Sequence, residues 1–305
     1  MSLIEKFQPK GPNGFGYGST AEEVTAGLDL TGRAILVTGC NSGLGFETMR
    51  VLALRGAHVI GTARNEEKAR AATAQVSGQT TGVACELSDP ASVRACVAQV
   101  KALGTPLDAI ICNAGIMALP KLEQAHGYEL QFFTNHIGHF LLVTGLLDAR
   151  AERGRVVMLS SEAHTMAPKE GIQFDNLSGA RGYSPWGAYG QSKFANLLFA
   201  KELGRRLAGT EKTANAVHPG VIATNLGRSM GAGPRLAMAI AGPLFLKSIP
   251  QGAATQCYVA VHPDAATRRG AYFASSNVAR CRPDADDAAL AARLWEESER
   301  IVAAL

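Results

Sequence analysis

Residues 34–45 read AILVTGCNSGLG, a short apolar strand that runs directly into a glycine-rich turn. Gly39, Gly43 and Gly45 permit a tight turn in which backbone N–H groups can approach a pyrophosphate. Residues 43–55 have helical spacing, and the N-terminus of a helix favours a bound anion electrostatically. The strand, turn and helix together predict a dinucleotide-binding site, with a structural turn that holds no ligand as the alternative.

Strands and helices alternate along the rest of the chain. Continuous apolar strands separated by amphipathic helices predict an α/β protein whose doubly wound parallel sheet is covered by helices on both faces. We expect a single-domain Rossmann fold with seven strands, at residues 34–38, 58–62, 83–86, 107–112, 155–159, 215–218 and 271–274. The predicted helices lie at residues 43–55, 66–76, 91–103 and 128–149, and a further helix carries Tyr189 and extends to about residue 207.

The predicted organisation is an N-terminal arm at residues 1–27 and the Rossmann-fold domain at residues 28–305. The arm is rich in glycine and favours a surface-packed or partly mobile tail. Ligands of such sheets bind beyond the carboxyl ends of the strands. The polar motifs of this chain all lie at those ends or in the segments that follow them, so one site at this edge is expected.

Tyr189 and Lys193 are four residues apart, so in a helix they share a face. A phenol with a pKa of ~10 is a poor acid or base at neutral pH unless its anion is stabilised. We expect the Lys193 ammonium to lower the pKa of Tyr189. Ser161 ends the fifth strand, where its hydroxyl can donate to a carbonyl oxygen that Tyr189 protonates. The pair alone is common by chance, but beside a dinucleotide turn it predicts transfer of a hydride and a proton.

The end of the second strand indicates which dinucleotide binds. Sites for NAD usually have an acidic residue ~20 positions after the turn. Here residues 61–65 read GTARN, and Arg64 stands where a 2′-phosphate would lie. Charge-assisted hydrogen bonds to that phosphate would contribute about 1.5–3 kcal/mol. We therefore predict NADP(H), with a plain surface arginine as the alternative.

The ends of the third and fourth strands supply further candidates. Asn113, Ala114 and Gly115 are small enough to let the backbone approach the adenosine side of the cofactor. Glu86 is placed to accept a hydrogen bond from the adenine amino group, although a solvated carboxylate at a strand end is equally consistent with the sequence.

Composition argues against several classes of protein. The net charge is +4 over 305 residues and no block of Lys or Arg occurs, so a nucleic-acid partner is not expected. The six cysteines show neither a Cys-x-x-Cys pair nor zinc spacing, which predicts no metal site and a reducing compartment. Residues 236–246 are apolar over only about half a membrane span, and residues 1–18 have no apolar signal core. We expect a cytoplasmic protein without a membrane anchor.

Together these residues resemble the short-chain dehydrogenase/reductase family, over residues 32–274 and in the family's motif order. The resemblance implies that Asn135 is catalytic and helps to hold a water that links Lys193 to solvent. It also favours Ser161 over Ser160 as the catalytic serine. The predicted catalytic set is therefore Asn135, Ser161, Tyr189 and Lys193.

The family's turn after the sixth strand matches Pro219 and Gly220. The resemblance implies that the Val221 backbone and Thr224 contact the nicotinamide carboxamide. The predicted cofactor contacts are Gly39, Asn41, Ser42, Gly43, Leu44, Gly45, Arg64, Glu86, Leu87, Asn113, Ala114, Gly115, Tyr189, Lys193, Pro219, Gly220, Val221 and Thr224.

Several segments look like the branch of this family that contains retinol dehydrogenases and WW-domain oxidoreductases. They are NSGLGFET at residues 41–48, ARN at residues 63–65 and SSEAH at residues 160–164. The arm motif STAEEV at residues 19–24 also resembles members of this branch, including some associated with chloroplast import. Membership of the branch supports NADP(H).

One spacing departs from the usual family pattern. Ser161 and Tyr189 are 28 positions apart, about twice the usual separation, because of an insertion at residues 164–186. We expect this insertion to form a surface excursion near the entrance of the site. Residues 225–250 are predicted to form a substrate lid, for which the glycines at Gly227 and Gly242 would provide mobility.

These expectations predict an NADP(H)-dependent oxidoreductase that interconverts ketones or aldehydes with alcohols. Apolar residues such as Met166 and Trp186 would suit a bulky hydrophobic substrate, with ordinary helix packing as the alternative. Two other functions stay open: an NADP(H)-binding regulatory or scaffold protein without turnover, and a C=C reductase. The resemblance also suggests a homodimer through the helices that carry Tyr128 and Tyr189.

Overall fold

A computed structural model describes residues 10–222 and 246–305 of the chain. Its strands are β1 (Ala34–Thr38), β2 (His58–Ala63), β3 (Thr80–Ala84), β4 (Leu107–Cys112), β5 (Gln124–Ala125), β6 (Tyr128–Glu129), β7 (Arg150–Leu159), β8 (Thr213–His218), β9 (Tyr272–Ala274) and β10 (Asn277–Val278). The central sheet has the order β10-β9-β8-β7-β4-β1-β2-β3. The strands β5 and β6 form a separate hairpin.

The predicted doubly wound parallel sheet is confirmed, with one strand more than expected. Seven strands are parallel, and the two-residue strand β10 pairs antiparallel with β9. The turn between them places Ser275 and Ser276 at positive φ, a conformation that the sequence did not signal. The strand order reverses between β1 and β4, so the crevice where such folds bind ligands opens beyond the carboxyl ends of these two strands.

Helices cover both faces of the sheet. They are α1 (Ala21–Val24), α2 (Gly43–Leu54), α3 (Glu66–Thr73), α4 (Pro90–Ala102), α5 (Leu130–Phe132), α6 (Gly138–Gly145), α7 (Pro185–Arg206), α8 (Ile249–Val261) and α9 (Ala288–Ala303). Side chains of β1 alternate between two apolar layers, with Leu36 in the layer of α7 and α9 and with Ile35 and Val37 in the layer of α2 and α8. Because both faces are buried, β1 is apolar along nearly its whole length.

The helix predicted at residues 128–149 is interrupted. Tyr128 and Glu129 belong to the hairpin, and the Glu129 carboxylate then caps α5 by accepting the Phe132 N–H at 2.7 Å. A π-helical segment, Phe133–Ile137, joins α5 to α6. Such single-turn π segments often occur at functional sites, and this one contains Asn135.

The helices α6 and α7 are covered within the chain. Residues 189–200 of α7 are all buried. Trp295 of α9 packs against Phe140 and Phe199, with ring centroids 5.0 and 5.5 Å apart. The homodimer expected through the helices that carry Tyr128 and Tyr189 stays a prediction, and within the described chain Trp295 of α9 covers part of the surface of α6 and α7.

The described part of the arm packs against α8 and the β9–β10 turn. Asn13 donates to the Tyr258 hydroxyl at 3.1 Å and to the Ser276 carbonyl at 2.7 Å. The Phe15 ring lies edge-on to Tyr258, with centroids 5.8 Å apart. These contacts join residues more than two hundred positions apart in the sequence.

Candidate active site

The turn after β1 has the backbone of an anion cradle. Gly43 has φ 58°, and a Cβ placed there would meet open space. A Cβ on Gly45 would instead collide with the Gly39 carbonyl oxygen, so only glycine allows this close packing. Ser42 precedes α2 and makes no side-chain capping bond to the described chain. The N–H groups of the first turn therefore point towards any bound anion, and the cradle fits a dinucleotide pyrophosphate.

The other predicted residues of this turn lie at the same edge. Asn41 and Ser42 are exposed, whereas Leu44 is half-buried and faces α8 near Gly252. The chain thus presents polar groups outward at the turn and anchors it with one apolar side chain.

Asn113 and Ala114, which follow β4, hydrogen-bond Thr38 at the start of the glycine-rich turn. The Asn113 amide donates to the Thr38 carbonyl at 2.8 Å, and the Ala114 N–H donates to the Thr38 hydroxyl oxygen at 3.0 Å. A Cβ on Gly115 would lie 3.0 Å from the Asn135 side-chain oxygen and 3.4 Å from Lys193 Nζ. Gly115 therefore lies beside two of the predicted catalytic residues, Asn135 and Lys193.

Arg64 follows β2 directly and is exposed. Within the described ranges it forms no ion pair, so its guanidinium charge is not neutralised by a neighbouring carboxylate. Glu86 lies two residues beyond the end of β3, not within it as predicted. One of its carboxylate oxygens accepts from the Ser88 N–H at 3.1 Å and hydroxyl at 2.8 Å. Leu87 is buried, and its carbonyl packs directly against Gly138.

Ser161 and Tyr189 come together although 28 positions separate them. The Ser161 side chain lies close enough to the Tyr189 phenol to lower its pKa. The insertion between them is a structured segment, with short 3-10 turns at Glu162–Met166 and Phe174–Asn176. A Cβ on Gly190 would lie 2.7 Å from backbone atoms of this segment, so the insertion packs tightly on α7.

Burial controls the protonation of Tyr189 and Lys193. Loss of solvent raises the pKa of Tyr189 to about 12, and the nearby Ser161 side chain opposes the rise. Burial also lowers the pKa of Lys193 to about 8. Lys193 Nζ donates to the Leu159 carbonyl at 3.1 Å and lies 5.7 Å from the centre of the Tyr189 ring. The expected lowering of the Tyr189 pKa by Lys193 is therefore not found: loss of solvent raises the pKa of the phenol, and the effect that opposes the rise comes from Ser161.

Asn135 is fully buried and every polar atom of its side chain is engaged. Its amide nitrogen donates to the Ile116 carbonyl and to Ser192 Oγ, each at 2.9 Å, and its amide oxygen accepts the Ile116 N–H at 2.9 Å. Its main-chain oxygen accepts from His139 Nδ1 at 2.9 Å. The water-holding role predicted for Asn135 therefore depends on the second lone pair of this carbonyl.

The segment after β8 borders the same crevice. Gly220 has φ 97° and packs against the side chain of Lys247. Pro219 is half-buried and Val221 is 59% exposed. Thr224 and most of the predicted lid, residues 225–250, lie outside the described residues, whose second range begins at residue 246.

Sequence reasoning missed two histidines and the role of Ser160. His139 Nε2 hydrogen-bonds the Thr38 hydroxyl at 2.9 Å and so joins the cofactor turn to Asn135. His164 is buried and bonds the Ser161 carbonyl. The Ser160 hydroxyl donates to the Lys193 carbonyl at 2.7 Å, which leaves Ser161 as the serine that faces Tyr189. The sequence signal that could have identified the two histidines is their spacing: His139 lies four residues after Asn135, and His164 lies three residues after Ser161.

The comparison with protein families identifies the fold family. The model of the short chain dehydrogenase family matches residues 33–234. This chain belongs to the short-chain dehydrogenase family. The family is one of oxidoreductases that use nicotinamide cofactors, which agrees with the cradle beyond β1.

Curated relatives agree along nearly the whole chain. Short-chain dehydrogenase TIC 32 A, chloroplastic, of Brassica napus is 44% identical over 97% of this chain and 96% of its own length. Human retinol dehydrogenase 13 is 38% identical over 90% of this chain and 85% of its own. WW domain-containing oxidoreductases also match. The predicted branch is confirmed.

A solved structure of a Mycobacterium paratuberculosis protein is also similar. It is 34% identical, with a TM-score of 0.75, and the match covers 92% of this chain and 96% of that one. None of the described helices combines the length and apolar character that a membrane span requires. Since TIC 32 A is named as chloroplastic, the cytoplasmic location stays a prediction.

Proposed function

We propose that this protein is an NADP(H)-dependent oxidoreductase that interconverts bulky hydrophobic ketones or aldehydes with the corresponding alcohols. The observation that carries the proposal is the proximity of Ser161 to the Tyr189 phenol, beside Lys193 and at the same sheet edge as the glycine-rich turn. A hydroxyl donor, a phenolic acid and an ammonium converge there without a carboxylate among them. This set suits a carbonyl oxygen that becomes an alcohol.

The cofactor is proposed to be NADP(H). When bound, it supplies the hydride. The open cradle of Gly43 and the uncapped start of α2 suit its pyrophosphate, and Arg64, which has no ion-pair partner in the part of the chain that the structure describes, suits the 2′-phosphate. Glu86 and Leu87, which follow the end of β3, would border its adenine.

The chain's own residues handle the oxygen and the proton. In the direction of reduction, Ser161 donates a hydrogen bond to the substrate carbonyl oxygen, and Tyr189 transfers its phenolic proton to that oxygen as the carbon receives the hydride. The raised pKa keeps Tyr189 protonated at neutral pH, which is the state that an acid needs. Lys193 then stabilises the phenolate, and solvent returns the proton.

The proposed substrate is apolar because a large exposed aromatic side chain lies next to Tyr189. Trp186 is 39% exposed, and its ring lies edge-on to Tyr189, with centroids 6.1 Å apart. Met166 and Val221, which are near Ser161 and Gly220 in the sequence, are 50% and 59% exposed. Exposed apolar side chains beside a candidate catalytic group suit the binding of an apolar molecule. The name of retinol dehydrogenase 13 points to such a molecule for that relative.

A screen of carbonyl compounds tests the proposal. We expect NADPH oxidation with acetophenone and all-trans-retinal to have a higher kcat/KM than with cyclohexanone. Cyclohexenone separates the two reductions, since the proposed reaction yields the unsaturated alcohol and C=C reduction yields the saturated ketone. Binding of NADPH without turnover of any compound would favour a regulatory protein and would contradict the proposal.

A further inference from the structure

His164, which is not in the predicted catalytic set, hydrogen-bonds the backbone of the candidate catalytic serine, Ser161. Its Nδ1 lies 2.6 Å from the Ser161 carbonyl oxygen. Its Nε2 lies 3.1 Å from the backbone nitrogen of Arg282, a residue that follows β10. The imidazole is buried, with 1% exposure, and packs edge-on against the Tyr272 ring at 5.0 Å.

The two partners fix the protonation of the ring. A carbonyl oxygen can only accept, so Nδ1 must carry the hydrogen. A backbone N–H can only donate, so Nε2 must be unprotonated. His164 is therefore held as the neutral Nδ1–H tautomer, and no other state satisfies both bonds.

Residues 161–169, the segment that begins with Ser161, form hydrogen bonds with other parts of the chain on two sides. The Arg282 guanidinium donates to the carbonyls of Ala167 and Lys169, at 3.0 and 2.8 Å. On the other side, the Glu162 N–H donates to His218 Nδ1 at 3.2 Å. The Ser161 hydroxyl also accepts the Ala163 N–H at 3.2 Å. These bonds leave the backbone of Ser161 with one arrangement, in which its side chain faces Tyr189.

We propose that His164 is a positioning residue, which orients Ser161 towards Tyr189 and the substrate oxygen through the hydrogen bond from Nδ1 to the Ser161 carbonyl, while the Arg282 N–H holds the ring in the tautomer that makes this bond. This inference rests on the proposed function, because it assumes that the Ser161 hydroxyl acts on the substrate. It adds a residue from outside the catalytic set and ties the site to the C-terminal part of the chain.

Two isosteric variants separate the two bonds of the ring. The amide nitrogen of Asn falls near Nδ1, so His164→Asn keeps the donor to Ser161 and loses the contact with Arg282. The amide of Gln falls near Nε2, so His164→Gln keeps the Arg282 contact and loses the donor. We expect kcat with all-trans-retinal and NADPH to stay within about 3-fold in His164→Asn and to fall about 10- to 100-fold in His164→Gln, because small displacements of a catalytic group are costly. The Kd for NADPH should not change in either variant.

A double-mutant cycle asks whether His164 acts through Ser161. If it does, Ser161→Ala/His164→Gln should be no slower than Ser161→Ala alone. Losses that multiply would overturn the inference, as would His164→Asn falling as far as His164→Gln. Full activity of Ser161→Ala would instead refute the proposed function of the serine, so the two failures are distinguishable.

A spectroscopic measurement tests the inference without turnover. In nitrogen NMR of the uniformly labelled protein at neutral pH, the resonances absent from His164→Asn belong to this ring. We expect the Nδ1–H tautomer, with Nε2 carrying the shift of an unprotonated nitrogen. An Nε2–H tautomer or an imidazolium would overturn the proposal.

Discussion

Packing around α7 buries Tyr189 and Lys193, and this burial shifts the pKa of both residues. Burial disfavours the charged form of each side chain, so the pKa of Tyr189 rises and that of Lys193 falls. The residue types and their four-residue spacing could be predicted from the sequence. The directions of the shifts could not, because burial depends on segments that are remote along the chain, such as residues 163–167, which pack on Gly190 beside Tyr189.

Lys193→Met should make the protein more stable and less active. Burial of the ammonium costs about 3 kcal/mol for a pKa near 8 against 10.5. The variant loses one hydrogen bond, but the Leu159 carbonyl still accepts from Asn196 at 3.0 Å. We expect a net gain of about 2 kcal/mol in the free energy of unfolding at about pH 7.

This gain should depend on pH in a defined direction. Between pH 8 and 10.5 the unfolded wild-type chain binds more protons at Lys193 than the folded chain, so wild-type stability rises with pH there. The advantage of Lys193→Met should therefore shrink across this window. Denaturant unfolding of both proteins at about pH 7 and about pH 10 measures it, and a difference independent of pH contradicts the assignment.

Arg64→Asp should weaken the use of NADPH selectively. The loss of charge-assisted bonds worth about 1.5–3 kcal/mol corresponds to a fall of roughly 10- to 150-fold in kcat/KM with NADPH. With NADH the value should hold or rise, since that cofactor has no phosphate at this position. Steady-state kinetics with both cofactors gives the ratio of kcat/KM with NADPH to kcat/KM with NADH. Equal losses with the two cofactors would show that Arg64 does not bind the 2′-phosphate.

At the scale of elements, the site depends on two kinds of local structure. The strand–turn–helix at residues 34–54 was predicted closely, because its glycines and apolar periodicity are local signals. The π-helical Phe133–Ile137 was missed, since nothing in a run of helix-forming residues shows where one extra residue is accommodated. The helices α8 and α9 were also not predicted, although Ser248 with Gln251 forms a capping box and Asp287 caps α9.

Gly45→Ala should disrupt the cofactor cradle. Its Cβ would meet the Gly39 carbonyl and also lie 2.5 Å from the Asn113 amide, so the turn must shift. We expect NADPH affinity to fall at least about 10-fold, because backbone N–H groups lose their aim at the phosphates. Gly187→Ala is the matched control, since its Cβ would make only ordinary contacts at 3.4 Å. Unchanged binding by Gly45→Ala, measured by fluorescence titration, would place the pyrophosphate elsewhere.

At the scale of the whole molecule, the features that the sequence did not predict are contacts between segments that are distant along the chain. The parallel, doubly wound sheet follows from the alternation of strands and helices, which the sequence displays, whereas the strand order is seen only in the structure. The arm on α8 and Trp295 on α7 are contacts between distant segments, and their side chains give no periodic signal of a partner.

Asn13→Ala tests whether the arm belongs to the fold. The Asn13 amide bridges Tyr258 of α8 and the Ser276 carbonyl. Losing both bonds should lower the free energy of unfolding by about 1–3 kcal/mol. Lys10→Ala, at an exposed position of the same arm, should have an effect within about 0.5 kcal/mol. Equal effects in thermal unfolding would mean that the arm contributes little to stability.

The most direct test of the central claim is the rate of carbonyl reduction by Tyr189→Phe, measured together with NADPH affinity. The substitution removes only the phenolic oxygen and keeps the ring that packs against Trp186. The account predicts that kcat falls at least about 100-fold while the Kd for NADPH stays within about 3-fold. A variant that binds NADPH normally and keeps more than about half of the wild-type rate would contradict Tyr189 as the proton donor.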